Sequence, residues 1–227
     1  MNPLDDIRFF PAGDCALVAE FGNEIDENIN NKVHHLARWI GERKIRGIRE
    51  TIPTFRSLMV VYDPSVISYR RLIRVLSRCS FDAIAGDGGH KQIIEVPCCY
   101  DGPDMEDMVS LTGLSREEII AIHSGTDYKI YMMGFLPGFV YLGGLDKRIH
   151  APRLSTPRTR IEPGSVGIGG NQTGVYPVAS PGGWRILGYT PLKFYDPESP
   201  SPILCHAGQY IRFVPISREE YERAVQK

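Results

Sequence analysis

The stretch YMMGFLPGFVYLGGLDKRIHAPRLSTPRTRIEPGSVGIGGNQTGVYPVASPGGWRILGYTP, from Tyr131 to Pro191, decides the fold of this chain. Its 61 residues hold 12 of the 23 glycines and 7 of the 17 prolines in a chain of 227 residues. Glycine permits sharp turns and proline fixes φ, so this density predicts short extended pieces joined by tight turns. Disordered Gly/Pro tracts lack aromatic residues. This stretch contains several and is therefore predicted to be ordered: Phe135, Phe139, Tyr141, Tyr176, Trp184 and Tyr189.

The same stretch carries a local excess of positive charge. Two acidic residues, Asp146 and Glu162, stand against six basic ones: Lys147, Arg148, Arg153, Arg158, Arg160 and Arg185. A guanidinium fork on a backbone stiffened by proline suits bidentate recognition of a carboxylate or phosphate. An ordinary solvated loop with basic residues would give the same pattern, so both interpretations stay open on charge alone.

The composition is that of a soluble globular protein. Apolar residues make up 42% of the chain and charged residues 23%, and the formal net charge is −1. This balance argues against a general nucleic-acid binder, and no run is apolar and long enough to span a bilayer. The N-terminus lacks the pattern of a signal peptide, so the cytosol is the expected compartment. Five cysteines without a CxxC pair suggest neither a disulfide framework nor a zinc site, and no metal-ligand set is predicted.

The first part of the chain predicts a small α+β domain. Its pattern is strand, strand, helix, strand, strand, helix, which favours an antiparallel sheet backed by two helices. The segment AGDGGHK at 85–91 has three glycines in five residues and no apolar anchor after Ala85. We therefore place a domain boundary near residue 88, which gives domains 1–88 and 89–227.

The second part predicts many short strands with two short helices near its start and one at its end. Asp101 and Pro103 suit the start of the first helix. Capping boxes, Ser115 with Glu118 and Ser217 with Glu220, suit the start of the second and the last. Residues 203–206 and 209–216 are predicted strands around an Ala207–Gly208 turn. Short strands with glycine-rich corners are typical of a β-barrel or sandwich.

Several long motifs resemble one known family. These are MGFLPGFVYLGGLD, PRLSTPR, EPGSVGIGGNQTGVYPVASPGGW and ILGYTPLKFYD, joined by GDCALVAEFG and GLSREEIIAIHSG. Their order and length are similar to the family that contains the B subunit of bacterial 5-oxoprolinase, with KipI and allophanate hydrolase subunit 1 as relatives. The main departure is AGQYIRF, where relatives commonly carry Gly-Asp; Gln209 cannot supply that carboxylate.

The resemblance implies both a fold and a function. The fold is α+β: a small antiparallel sheet with two helices, followed by a cyclophilin-like β-barrel with short helices. The function is that of one component of an ATP-dependent 5-oxoprolinase, which opens 5-oxoproline to L-glutamate together with the C subunit, a related barrel, and the A subunit. This chain is expected to be inactive alone. Because its basic stretch offers only two carboxylates, ATP with magnesium is expected to bind at the level of the complex, with a partner supplying metal ligands.

The candidate site residues follow from that chemistry. Arg158 and His123 are the candidates for catalysis, because arginine stabilises negative charge and the histidine pKa lies near neutrality. The remaining candidates would bind substrate through charge, hydrogen bonds or the pocket wall: Arg153, Arg160, Gln172, Tyr176, Phe135, Pro137, Gly138 and Trp184. Each has a structural alternative, since the glycine would serve a turn equally well and the tryptophan a core.

Two other functions stay open. A KipI-like inhibitor would dock on a sensor histidine kinase through the same barrel, using an exposed apolar groove. A protein related to allophanate hydrolase or urea carboxylase would share the two-barrel arrangement. This last alternative ranks lower, because no segment resembles a biotin-attachment or amidase domain.

Overall fold

The chain is described here by a computed structural model that covers residues 7–81 and 91–226. The chain divides into two compact units, Met1–His90 and Lys91–Lys227. The predicted boundary near residue 88 lies outside the described residues.

The first unit is a four-stranded antiparallel sheet with two helices. The strands are β1 (Arg8–Ala12), β2 (Ala16–Glu20), β3 (Ile48–Pro53) and β4 (Ser57–Tyr62), and the helices are α1 (Glu27–Arg43) and α2 (Tyr69–Leu76). The strands lie in the order β1-β2-β4-β3. The predicted order of strands and helices is therefore confirmed.

Periodic apolar residues and helix caps build this unit. The Asp26 carboxylate accepts hydrogen bonds from the Asn28 and Ile29 amides and so begins α1. The apolar residues of α1 lie three to four positions apart and are buried: Val33, Leu36 and Ile40. Alternate residues of β4 are buried as well, so helix and sheet enclose one core.

The second unit has nine strands among its described residues, seven of which form a barrel, and short helices at its margin. Its strands are β5 (Ile93–Cys98), β6 (Asp127–Met133), β7 (Val140–Gly143), β8 (Arg158–Ile161), β9 (Ser165–Gly169), β10 (Gln172–Val175), β11 (Ser180–Gly182), β12 (Arg185–Tyr189) and β13 (Tyr210–Pro215). Its helices are α3 (Met105–Thr112), α4 (Arg116–Ser124) and α5 (Arg218–Val225). Strands β8 and β11 form a separate two-stranded sheet. The predicted α+β fold with a barrel domain is confirmed.

The barrel closes through a bridge between its two edge strands. The strand order is β12-β9-β10-β7-β6-β13-β5, in which β13 and β5 run parallel. Just after β5, Cys99 exchanges two backbone hydrogen bonds of 2.9 Å with Tyr189 at the end of β12. The sheet therefore closes on itself, which covers edges that would otherwise be open to other chains.

Local expectations for the second unit are met in part. Both capping boxes form at the predicted serines, and Gly125 occupies the C-cap of α4. Helix α3 begins later than predicted, because Asp104 rather than Asp101 occupies its N-cap position. The predicted strand at 203–206 is wrong: this segment makes only an isolated bridge between Ile203 and Tyr195, since it lacks a continuous neighbouring strand.

Among the described residues, no helix combines the length and the apolar character that crossing a membrane requires. All five cysteines are free thiols.

Candidate substrate site

Strand alternation gives the barrel sheet a second apolar face. On β10, Thr173 and Val175 point into the main core, so Gln172 and Gly174 point to the opposite side. That opposite side carries four rings, which we call the aromatic cluster: Phe139, Tyr141, Tyr176 and Trp184. All but Tyr141 are buried.

The rings of the aromatic cluster meet edge to face. The Phe139 ring centroid lies 5.2 Å from that of Tyr176 and 5.5 Å from that of Trp184. Tyr141 lies 4.9 Å from Phe139 on the more exposed side. These separations and tilts are those at which aromatic pairs attract beyond simple burial.

Two glycines make room for the indole. A Cβ atom on Gly169 would collide with Trp184 Nε1, and one on Gly174 would lie 3.1 Å from the far edge of the indole ring and 2.5 Å from the Val140 carbonyl oxygen. The sheet therefore presents a flat floor beneath the indole. The segment GSVGIGGNQTG, at 164–174, supplies β9 and most of β10.

Arg153 borders the aromatic cluster and has no acidic partner. Its side chain is exposed and makes no hydrogen bond or ion pair within the described residues. Burial raises the pKa of Tyr141, and the positive charge of Arg153 opposes this rise. Burial also raises the pKa of Tyr176, where Arg153 again acts in the opposite direction, after the Trp184 backbone. The guanidinium therefore lies near both phenols and is available to an anion.

Gln172 also borders the aromatic cluster. It pairs across the sheet with Gly169, against which the indole packs. Its amide nitrogen Nε2 is enclosed and has no hydrogen-bond partner within the described part of the chain. A buried donor without an acceptor costs free energy, so an acceptor that reaches this nitrogen would gain a hydrogen bond.

The loop before β7 brings an exposed phenyl ring to the aromatic cluster. Phe135 is 65% exposed and has a φ of 68°, a left-handed conformation that costs a bulky residue about 1–3 kcal/mol. Its ring centroid lies 5.6 Å from that of Phe139, edge to face. Pro137 is exposed beside it. Gly138 turns the chain at a φ of 78°, where a Cβ would lie 2.7 Å from the Phe194 carbonyl oxygen.

Arg158 is not an available anion receptor. Its two terminal nitrogens donate to the two oxygens of Asp104, at 2.9 and 2.6 Å. Asp104 is buried, and it also accepts a hydrogen bond of 2.6 Å from the Ile186 amide. The guanidinium already holds a bidentate carboxylate, so the geometry does not support the predicted catalytic role and gives Arg158 a fastening role instead.

The other arginines are also paired. Arg160 donates to Glu162 at 2.7 and 3.1 Å on the exposed surface, which does not support its predicted substrate contact. Arg185 pairs with Asp107 at 2.7 Å. The predicted set of anion-facing arginines thus reduces to Arg153.

His123 is fully buried, and both of its ring nitrogens are occupied. Nδ1 lies 2.7 Å from the Tyr100 hydroxyl, and Nε2 lies 2.9 Å from Thr173 Oγ1. The Thr173 hydroxyl donates its one proton to the Gly167 carbonyl oxygen at 3.0 Å, so it accepts from the imidazole Nε2–H. Tyr100 then donates to Nδ1, which fixes a neutral tautomer.

This network does not support the predicted proton-transfer role of His123. Burial lowers its pKa to about 3, and its ring stacks on Phe213 at 4.6 Å inside the core. A group that remains neutral and enclosed near pH 7 cannot exchange protons with a substrate at the surface. His123 therefore acts as a core residue that links α4 to β10.

Sequence reasoning missed Asp104, the residue that neutralises Arg158. Asp104 stands at the N-cap position of α3, but its side chain makes no capping hydrogen bond, so the N-cap pattern does not reveal its role. Its partner arginine lies 54 positions away, a pairing that no local pattern reveals.

Among the described residues, no group of three or more His, Cys, Asp or Glu side chains is arranged to hold a metal ion.

The fold and the site together define a class of barrel domain. Residues 7–205 match the family model described as the carboxyltransferase domain, subdomain C and D. The chain belongs to this family. The family predicted from the sequence motifs is thereby confirmed.

Individual relatives sharpen this assignment. The chain is 43% identical over 224 residues to the 5-oxoprolinase B subunit of Bacillus subtilis, covering 92% of each chain. It superposes on the solved structure of TTHA0988 with a TM-score of 0.80 and 32% identity, covering 93% of this chain and 40% of that one. The urea carboxylase of Kluyveromyces lactis shares the fold, with a TM-score of 0.70 and 21% identity, over 97% of this chain and 22% of that one. The chain thus spans about two fifths of TTHA0988.

Proposed function

We propose that this chain is the B subunit of a 5-oxoprolinase, a hydrolase that opens 5-oxo-L-proline to L-glutamate. The observation that carries the proposal is the 43% identity to a 5-oxoprolinase B subunit over 92% of both chains. The substrate offers two recognisable features, a carboxylate and a five-membered lactam ring. The candidate site offers a matching group for each.

The carboxylate of 5-oxoproline would pair with Arg153. This guanidinium has no acidic partner within the described residues, and its positive charge lowers the pKa of both the Tyr141 and the Tyr176 phenol against the effect of burial. A bidentate pair with a carboxylate is among the stronger polar contacts available to a protein. Arg153 is therefore the anchor that fixes the orientation of the substrate.

The lactam ring would contact the aromatic side of the site. The exposed Phe135 ring and the half-buried Tyr141 ring present apolar surface to its methylene groups. Gln172 Nε2 lacks an acceptor among the described residues, and a rotation of this side chain out of its enclosed position would let it donate a hydrogen bond to the lactam oxygen. That bond would strengthen as negative charge grows on this oxygen, which is where ring opening requires stabilisation.

The residues of this site do not fit ATP with magnesium. Magnesium prefers carboxylate ligands, yet Asp146 pairs with Arg148 at 2.8 Å and Glu162 with Arg160 at 2.7 Å. We therefore assign nucleotide binding to the partner A and C subunits. TTHA0988 and the urea carboxylase of Kluyveromyces lactis both carry a region similar to this chain within a longer polypeptide.

The test is ATP hydrolysis by the three subunits mixed in equal amounts, with 5-oxoproline, urea or no substrate added. The proposal predicts hydrolysis that depends on 5-oxoproline and on the presence of this chain. Hydrolysis that depends on urea instead would favour a protein related to urea carboxylase, the second candidate, which the family description and the shared fold support. The kinase-inhibitor function and the cytosolic location remain predictions.

A further inference from the structure

The first unit carries a concentration of positive charge that the proposed function does not use. Between residues 38 and 78 the chain has ten lysines and arginines but three acidic residues, although its total formal charge is −1. On α2, Arg70 and Arg74 are exposed one turn apart, where like charges repel. Neither has a hydrogen bond or ion pair within the described residues. The helix itself gains nothing from this arrangement.

Two neighbouring cavities lie beside these charges. One has a volume of about 420 Å³, and its lining includes Arg46 and Arg71. The other, of about 390 Å³, shares Ile45 and Arg46 with the first and extends along the end of α1 to Lys44 and the start of β3. Since the two cavities share lining residues, we treat them as one feature and call it the basic groove.

The basic groove combines free cations with aliphatic surface. The side chains of Arg46 and Arg71 are exposed and make no hydrogen bond or ion pair within the described residues, whereas Arg49 pairs with Asp63 at 2.7 Å. Aliphatic side chains also line the groove: Ile45, Val66, Ile67 and Val75. Val66 is 41% exposed, which is high for an aliphatic residue beside a cavity. A ligand that fits this lining carries both negative charge and apolar side chains.

An edge strand forms one side of the basic groove. Strand β3 has a neighbouring strand on one side only among the described residues, and its Ile48–Thr51 portion lines the second cavity. The free edge of a strand offers N–H and C=O groups to an added extended segment. Alternate side chains of such a segment point the same way, which matches a groove with an aliphatic floor and a charged rim.

We propose that the basic groove binds an extended acidic segment of another protein, with aliphatic residues alternating with glutamate or aspartate. The described lining carries one acidic residue, Glu50, against four basic ones: Lys44, Arg46, Arg49 and Arg71. Its positive charge therefore complements the acidic positions, and its aliphatic residues accept the apolar positions. Single-stranded nucleic acid fits less well, because it binds by stacking bases on aromatic rings and the described lining of both cavities contains none. This proposal does not depend on the 5-oxoprolinase assignment.

The test uses the full-length chain and a fluorescent eight-residue peptide in which glutamate and valine alternate, with binding followed by anisotropy. We expect saturable binding that weakens as salt is raised. The double variant Arg46→Glu/Arg71→Glu should bind at least tenfold more weakly. The matched control is Arg223→Glu on α5, an exposed arginine whose side chain donates to the Glu219 carbonyl oxygen, and it should bind within twofold of the native chain.

Three outcomes would overturn the proposal. They are the absence of peptide binding to the native chain, equal binding by the double variant, and tighter arginine-dependent binding of a single-stranded oligonucleotide. Thermal unfolding of each variant shows whether its fold is retained. If the double variant unfolds early, Val66→Asp provides a second test. This substitution places a negative charge at an exposed position in the groove, so it should weaken peptide binding at least tenfold as well.

Discussion

Asp104 and Arg158, 54 positions apart, form a bidentate ion pair with N–O distances of 2.9 and 2.6 Å. Asp104 stands at the N-cap position of α3, and Arg158 begins β8. The Asp104 carboxylate also accepts from the Ile186 amide of β12, so three elements meet at one buried group. Removal of Arg158 would leave the Asp104 carboxylate buried, with the Ile186 amide as its one remaining hydrogen-bond donor among the described residues.

We therefore predict that Arg158→Ala acts on stability. The free energy of unfolding should fall by about 2 kcal/mol, the typical cost of a buried polar group that loses its partner. Urea unfolding followed by circular dichroism measures this change. The control Arg160→Ala breaks an exposed pair and should change stability by less than about 0.5 kcal/mol. Equal stability of the two variants would contradict the fastening role.

Arg153→Ala should act on substrate use instead. We expect kcat/KM for 5-oxoproline in the reconstituted complex to fall at least tenfold, because the carboxylate loses its bidentate partner. The urea midpoint should be unchanged, since Arg153 has no partner to lose among the described residues. Arg153→Lys should recover only part of the loss, because lysine lacks the fork. A native kcat/KM for Arg153→Ala would remove this residue from the site.

His123 should make stability depend on pH. Its pKa is about 3 in the folded chain, below the ordinary value of 6.5, so the unfolded chain binds a proton that the folded chain does not. Stability is therefore lost as pH falls below 6.5. Between pH 7.5 and 5.5 this contribution is about 1.4 kcal/mol. The carboxyl groups of Asp63 and Asp146, whose pKa values are about 2, lose their contribution only at lower pH.

The measurement is the free energy of unfolding at both pH values for the native chain and for His123→Gln. The native chain should lose about 1.4 kcal/mol more than the variant, which has no titrating group at this position. The same loss in both proteins would show that other groups dominate this pH range.

Gly169→Ala should disturb the floor of the aromatic cluster. The added methyl group would collide with Trp184 Nε1, and overpacking of this kind costs about 1–3 kcal/mol. Tryptophan fluorescence should shift as the indole moves. The control is Gly41→Ala, where the new methyl group meets nothing within 4 Å inside α1 and should increase stability slightly. An unchanged fluorescence spectrum for Gly169→Ala would contradict the packing described here.

Local patterns in the sequence predicted the elements that are determined locally. The helix α1 follows from apolar residues at helical spacing behind Asp26, and α4 and α5 follow from capping boxes at Ser115 and Ser217. The strands of the first unit follow from alternation. Segment 203–206 has a strand-like composition but no continuous neighbour, so its prediction failed for a nonlocal reason.

The candidate site was harder to predict, because charge in a sequence does not show where its partner lies. Arg158 and Arg185 occur in a basic stretch, yet both pair with carboxylates far earlier in the chain. Arg158 pairs with Asp104 at the N-cap position of α3, and Arg185 pairs with Asp107 within α3. Histidine ordinarily carries protons near neutral pH, but burial lowers the pKa of His123 and encloses its ring, so this side chain cannot play that role. The aromatic and glycine residues were predictable as a group, because only glycine allows a sheet to accept an indole as closely as Gly169 does.

The most direct test of the proposed function is glutamate release from 5-oxoproline and ATP by the A and C subunits, with and without this chain. We expect release with the native chain, at least tenfold less with Arg153→Ala, and none when the chain is omitted. Undiminished glutamate release in the absence of the chain would contradict the proposed function.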